Sequence, residues 1–144
     1  MLRSALAALF LLASCGHYHA QRAERPLTHR ELASRGLTVT PKVVEPTFAA
    51  AFAQALDREG FQVVDHPAYR GDLDVTVTTR RGRAGPVTVA VARSDGFFVE
   101  EARVPGEGGE AAAAWLAKTL STSQRMADFI RNSGLPQQTG LGGR

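Results

Sequence analysis

The stretch from Gly71 to Val104, GDLDVTVTTRRGRAGPVTVAVARSDGFFVEEARV, carries the pattern that decides the fold of this 144-residue chain. Apolar and polar residues alternate in DLDVTVTTR and again in PVTVAVA, with the period of two that is typical of half-buried strands. Asp95-Gly96 is a strong signal for a tight hairpin turn, and RRGRAG is expected to form the preceding turn. The stretch therefore predicts a three-stranded antiparallel meander with one apolar face, which needs a layer of helices over it.

The apolar row of this meander is expected to come from its leucine and valines. They are Leu73, Val75, Val77, Val87, Val89 and Val91.

Helical patterns precede and follow the meander. In TFAAAFAQALDREG, Thr47 is expected to cap the N-terminus of a helix and Gly60 to end it. Its apolar stripe repeats at helical spacing and comprises Phe48, Phe52, Ala55 and Leu56. The second pattern is EAAAAWLAKTLSTSQRMADFIRNSG, in which the hydroxyl run at 121–123 is expected to interrupt the helix. We expect Trp115 in the helix–sheet interface.

Two further strands are predicted ahead of the meander. LTVTPKVVEP, residues 37–46, is rich in β-branched residues, but Pro41 cannot donate to a ladder and so indicates an edge strand or a bulge. FQVVD, residues 61–65, is typical of a short strand. The order β-α-β-β-β-β-α predicts an α/β (α+β) two-layer sandwich, with a mixed four- to five-stranded sheet and two helices on one face.

The N-terminal segment has the features of an export signal. Arg3 is followed by ALAALFLLA, which is too short for a membrane helix of about 20 residues but suits the apolar region of a signal, about 7–15 residues long. The junction Leu12-Ala13-Ser14-Cys15 resembles the lipobox of bacterial lipoproteins. That resemblance implies cleavage between Ser14 and Cys15, a diacylglycerol on the Cys15 sulfur, and an acyl chain such as palmitate on the new amino group.

The lipobox resemblance also implies a location. A multiply acylated cysteine anchors a protein without a transmembrane helix, and Gly16, in place of an Asp, favours the outer membrane with the protein facing the periplasm. The alternative is an incidental cysteine in an ordinary signal or an N-terminal helix. The expected organisation is a signal peptide at 1–14, a lipidated flexible tether at 15–36, an α/β domain at 37–133 and a disordered tail at 134–144.

Composition and charge exclude some function classes. The formal net charge of +3 falls to about +2 once Arg3 is removed with the signal. No Lys/Arg face with interleaved aromatics is present, so nucleic-acid binding is not expected. The only tight basic cluster, Arg80, Arg81 and Arg83, is interpreted as a solvated turn or as a contact for phosphate groups, acidic glycans or a partner.

The order of elements resembles a family of small bacterial envelope lipoproteins. Over about 37–132, a strand, an Ala-rich helix ending in LDREGFQVVD, the strand GDLDVTVTTR, a hairpin and a long Ala-rich helix are similar to the TolB amino-terminal domain and the LpoB and CsgG group. The resemblance implies a module that binds or organises other envelope components. It transfers no functional residue, because no family motif is matched.

The histidines are weak candidates for a metal site. His17 and His19 flank a tyrosine in the expected tether, and His29 is the nearest third ligand. A specific site needs three or four fixed ligands, so we interpret them as part of a polar linker and expect no metal and no cofactor.

The aspartates have an acid–base interpretation and a plainer one. Asp72 and Asp74 are expected to share the solvent face of one strand, with Asp65 and His66 nearby in sequence. Acid–base catalysis needs a cleft that perturbs the pKa of such groups, and nothing in the pattern indicates one. Strand charges that oppose aggregation are the preferred explanation.

The remaining motifs indicate contacts rather than catalysis. No G-x-S-x-G, H-E-x-x-H or P-loop pattern occurs, and the hydroxyls at 121–123 have no histidine near them in sequence. The glycines of PGEGGE precede a helix as anion cradles do, but two glutamates there would repel a phosphate. Phe97 and Phe98 are adjacent in a strand and cannot both face inward, so one of them is a candidate partner contact, or else it packs under a neighbouring loop.

The sequence therefore predicts a non-catalytic, lipid-anchored, periplasm-facing protein that binds or positions another envelope protein in an assembly. The first alternative is a lipoprotein that binds a small ligand or a glycan. The second alternative is a hydrolase.

Overall fold

The computed structural model describes residues 27–65 and 71–133 of the chain. The elements in these ranges are α1 His29–Arg35, β1 Thr38–Val43, α2 Pro46–Glu59, β2 Gln62–Val63, β3 Leu73–Gly82, β4 Gly85–Ser94, β5 Phe97–Pro105, α3 Glu110–Thr122 and α4 Gln124–Asn132. The predicted α/β class with a mixed sheet is confirmed, although four helices in the described ranges take the place of the two expected.

The sheet has five strands in the order β2-β1-β3-β4-β5. β1 pairs in parallel with both β2 and β3, and the predicted meander β3-β4-β5 is antiparallel. Gly82 pairs with Gly85, so the first turn holds two residues. The second turn has positive φ at both central residues, 48° at Asp95 and 83° at Gly96, as one of the favoured hairpin turns requires.

The apolar face of β4 differs from the expected row. Val75 of β3 lies opposite Ala92, so the alanines of β4 share the core face with the valines of β3. Val89 and Val91 point to the other face, where they are nevertheless buried. The valines of β4 were therefore assigned to the wrong face, because a run of Val and Ala is apolar in both registers of the alternation.

Helix α2 covers the sheet with the predicted stripe, and all four of its apolar residues are buried. Helix α3 contradicts the prediction for Trp115, whose side chain is 58% exposed. At 3.6 residues per turn, the buried residues of α3 centre on the side nearly opposite the indole. These residues are Ala112, Ala113, Leu116, Ala117, Leu120 and Ser121.

The orientation of α3 follows from its packing on α2. The hydroxyl of Ser121 donates to the Glu59 carboxylate of α2 at 2.8 Å, so the small-residue side of α3 faces the neighbouring helix. Small side chains there allow a close approach, and Trp115 lies on the outer side instead. The predicted interruption of the long helix is confirmed, since the Ser123 hydroxyl accepts from the Met126 amide at 3.0 Å and caps α4.

Residues 27–36, which the sequence placed in the tether, belong to the folded unit. Thr28 and Glu31 form a capping box at the start of α1, and the side chains of Leu27 and Leu32 are part of the core. The predicted tether therefore extended too far along the chain. Leucines spaced five residues apart match neither the helical nor the strand period, so this part of the core was not visible in the pattern.

Pro41 lies on an inner strand, although the sequence predicted an edge strand or a bulge. β2 pairs only with Thr38 and Val39, so within the described ranges no strand pairs with the outer side of β1 from Thr40 onward. Pro41 thus lies where the sheet needs no backbone N–H from it. This lack of a needed donor is the reason that proline predicts an edge strand.

Candidate functional site

A cleft, here called the end cleft, lies where β1 ends beside the middle of β3 and α2 begins. It has a volume of about 410 Å³. The residues around it are Val43, Val44, Glu45, Phe48, Val77, Thr78, Thr79, Thr88, Glu107 and Gly108.

The topology explains why a cleft forms at this place. From β1 the chain crosses through α2 to β2 on one side, whereas β3 lies on the other side of β1. The carboxyl end of β1 therefore turns away into α2 beside the middle of β3, which continues to Gly82. Crevices at such switch points between parallel strands are where open α/β sheets usually bind ligands.

The inner wall of the end cleft is apolar and closely packed. The ring of Phe48 stacks on that of Phe52 with centroids 6.0 Å apart. A Cβ at Gly108 would lie 3.1 Å from the Phe48 ring, and φ there is +89°, so glycine is what lets the backbone approach the ring. Val44, 90% exposed, stands at the edge of the cleft.

The hydroxyl groups in the cleft serve the fold. The buried hydroxyl of Thr88 donates to the Gly106 carbonyl at 2.7 Å, and the Thr79 hydroxyl lies 3.5 Å from it. The glycine loop is thus bonded to β4, and the two hydroxyls bond within the protein rather than converging on the cleft.

Two carboxylates flank the cleft. Glu45 accepts from the Thr47 hydroxyl at 3.1 Å, and among the described residues neither Glu45 nor Glu107 forms an ion pair. Glu45 and Gly109 are the N-cap residues of α2 and α3, and neither cap residue makes a side-chain hydrogen bond to its helix. The partial positive charge of the helix N-termini favours carboxylates at this position.

Arginines lie beyond Glu107, which borders both the end cleft and a neighbouring cavity of about 330 Å³. The other residues around that cavity are Thr79, Arg80, Arg81 and Pro86. Arg83 is exposed in the adjoining turn. The three arginines that the sequence indicated as a candidate contact therefore form a cluster at the turn, near the end cleft.

The opposite end of the sheet carries the phenylalanine pair. Phe97 is 79% exposed and Phe98 is 51% exposed. The Arg125 guanidinium carbon lies 5.8 Å from the centroid of the Phe98 ring, within the range of a cation–π interaction. Arg93 lies opposite Phe98 on β4. We call these four residues the aromatic tip.

The structure does not bring the predicted contact residues together. The arginine turn joins β3 to β4, whereas the phenylalanines follow the turn that joins β4 to β5. The ten residues of β4 separate the two turns, which is about 30 Å at roughly 3.4 Å per residue. The predicted contacts thus form two surfaces at opposite ends of the sheet.

The free edge of β5 is protected against the addition of another strand. The Gly106 amide donates to the Pro86 carbonyl, so the alternation of the ladder directs the backbone groups of Glu101 and Pro105 outward. Pro105 has no N–H, and the Glu101 amide donates to the Glu100 carboxylate at 2.8 Å. Both features block edge pairing, so a contact at this edge must use side chains.

The strand aspartates have structural roles. The Asp72 carboxylate accepts from the Thr38 amide at 2.9 Å, and Asp74 forms an ion pair with Lys42 at 3.0 Å. Asp65 is exposed. Asp72 and Asp74 therefore connect β3 to β1 rather than forming an acid–base pair.

Several predicted sites lie outside the described residues: Ser14, Cys15, His17, His19, His66 and the side chain of His29. Within 27–65 and 71–133, no group of three ligand side chains is placed to hold a metal. None of the helices described there has both the length and the apolar character of a membrane span.

Comparisons with protein-family models, with curated proteins and with solved structures find no match to this chain. Its sites are therefore interpreted from geometry. The sequence did not predict the end cleft, because its walls come from segments that are far apart in the chain. The one local signal was the junction Val43-Val44-Glu45-Pro46 between a parallel strand and its helix.

Proposed function

We propose that this protein is a lipid-anchored, periplasm-facing protein of the outer membrane that binds or positions a protein partner in an envelope assembly, without catalysing a reaction. The location rests on the Leu12-Ala13-Ser14-Cys15 junction. The observation that carries the partner-binding role is the aromatic tip, where two exposed phenylalanine rings lie beside two arginines.

The composition of the aromatic tip supports a protein contact. Aromatic residues and arginine are enriched at the centres of protein interfaces. Arg93 and Arg125 form no ion pair with any described residue, and Asp74, which lies opposite Arg93, is bonded to Lys42. The tip therefore leaves apolar surface and positive charge available to a partner.

The end cleft supports the second candidate, a small-ligand or glycan binder. Its volume of about 410 Å³ falls within the range of ligand pockets, about 300–1,000 Å³. The hydroxyls of Thr79 and Thr88 bond within the protein, however, whereas a glycan site needs several free donors and acceptors. An apolar small ligand is the form of this alternative that the cleft favours.

A photo-crosslinking amino acid at position 97 tests the proposal in cells. We expect a discrete adduct with an envelope protein, whether a second copy or a different chain, and Arg125→Gln should lower its yield while Arg83→Gln should not. The matched control is the same amino acid at Gln54, which is exposed on α2. If position 97 gives no adduct, or gives the adducts of position 54, the partner-binding role is contradicted.

A further inference from the structure

We propose that the aromatic tip of one chain docks into the end cleft of a second copy, so that copies associate head to tail. The inference rests on the proposed function, in which Phe97 and Phe98 contact a protein partner, and it names that partner as this same chain.

The end cleft and the aromatic tip are complementary in shape and polarity. The end cleft has an apolar wall built on Phe48 and Val77, and its volume of about 410 Å³ is large enough for a phenylalanine ring. The aromatic tip offers two rings that project into solvent. A ring seated in the cleft would remove apolar surface from water on both molecules.

The charges around the two surfaces are of opposite sign. Glu45 and Glu107 flank the cleft, and Arg93 and Arg125 flank the rings, with no ion pair to any of the four among the described residues. Docking would bring opposite charges together around an apolar centre. Such an arrangement fixes orientation and speeds association.

Each end also carries charge of the other sign. Arg80 and Arg81 lie at the cleft end, but they border a separate cavity beyond Glu107. Asp95 stands in the turn beside the rings. Both ends therefore carry charges of both signs. The glutamates nevertheless flank the cleft itself and Arg93 and Arg125 flank the rings, so a ring seated in the cleft would bring these opposite charges together.

The rings cannot dock into the cleft of their own chain. Thr88 lines the cleft, and Ser94 lies opposite Phe97 at the other end of β4. Six residues along an extended strand span about 20 Å at roughly 3.4 Å per residue. The rings therefore cannot reach the cleft of their own chain, and a second copy must supply it.

The geometry also determines the kind of assembly. Two different surfaces at opposite ends make a heterologous contact, which produces a ring if the rotation closes and an open chain of copies if it does not. A symmetric dimer through paired β5 edges is disfavoured, because Pro105 and the Glu100–Glu101 hydrogen bond block that edge.

Disulfide trapping of the full-length protein tests the inference. Val44→Cys places a thiol at the edge of the cleft and Phe97→Cys places one at the tip, while Phe98 is retained. Both sites are exposed, so neither change should affect folding. With copper–phenanthroline as oxidant, the double variant should give a ladder of dimers, trimers and larger species on a non-reducing gel.

Three controls use the same chemistry. Each single variant alone should give no more cross-linked product than the unsubstituted chain, whose one cysteine is Cys15. An equal mixture of the two single variants should give dimers and nothing larger. In the double variant, Phe98→Ala or Glu107→Arg should remove the ladder, whereas Trp115→Ala, another exposed aromatic, should leave it unchanged.

The outcomes separate this inference from the proposed function. A double variant without a ladder, or dimers from Phe97→Cys alone, would overturn head-to-tail association. If the photo-crosslinker at position 97 still captures a different envelope protein, the partner-binding role stands and only the identity of the partner is wrong. If neither experiment gives a product, both are contradicted.

Discussion

The carboxylate of Asp72 holds the start of β1, because it accepts hydrogen bonds from the Thr38 amide at 2.9 Å and the Thr38 hydroxyl at 2.8 Å. The Thr38 hydroxyl in turn accepts from the Asp72 amide at 2.9 Å. These bonds join residues 34 positions apart. They connect the parallel half of the sheet to the meander at the end opposite the end cleft.

We predict that Asp72→Ala lowers the free energy of unfolding by about 1–3 kcal/mol, because it leaves a part-buried donor pair without its acceptor. Asp74→Ala is the matched control, since it removes only a half-exposed ion pair with Lys42 and should cost under about 1 kcal/mol. Urea denaturation followed by circular dichroism compares the two. Equal losses would mean that the Asp72 bonds add nothing beyond a surface charge.

The outer position of Trp115 gives a second prediction. Trp115→Ala should change the free energy of unfolding by under about 1 kcal/mol, whereas Leu116→Ala, which empties a fully buried site, should cost about 2–5 kcal/mol. Circular dichroism is the suitable probe, because Trp115 is the one tryptophan of the chain and the variant therefore has no tryptophan fluorescence. A large loss for Trp115→Ala would place the indole in the core after all.

The contribution of α1 to the core is tested at Leu32. This side chain is fully buried, so Leu32→Ala should lower the free energy of unfolding by about 2–5 kcal/mol. Ala33→Ser, on an exposed position of the same helix, should have little effect. If both variants unfold as the natural sequence does, α1 is a passive part of the tether.

Lipidation is predicted at Cys15. A metabolic fatty-acid probe should label the natural chain, and Cys15→Ser should abolish the labelling because the acceptor sulfur is lost. Ser14→Ala keeps a small residue before the cysteine and should still be labelled. Labelling of the Cys15→Ser chain, or a mature protein that begins at another residue, would refute the lipoprotein assignment.

Local pattern accounts for most of the secondary structure. The turn at Asp95-Gly96 follows from a backbone conformation that these residues adopt readily. The break at Ser123 follows from a hydroxyl that competes for backbone amides. Such signals depend only on neighbours in the chain, so they are readable before any tertiary contact exists.

Patterns that were apolar on more than one face led to the errors. Trp115 was placed in the core because it shares one apolar helical face with Leu116 and Leu120. Helix α3 instead packs through the side that carries its alanines, where α2 comes close. The valines of β4 were assigned to the core because a run of Val and Ala is apolar in both registers, although it is Ala92 that lies opposite the core residue Val75. In both cases the small residue takes the crowded position, and the sequence alone does not show where crowding occurs.

By itself, the sequence determined the class of fold, the two hairpin turns, the span of α2 and the break between α3 and α4, because each depends on interactions within a few residues. The tertiary structure decided the rest. It placed the arginine turn and Phe97 at opposite ends of the sheet, since β4 is extended between them. It also formed the end cleft, because parallel pairing brings the end of β1 beside β3. The two strands are far apart in the chain, so no local sequence pattern indicates that they pair.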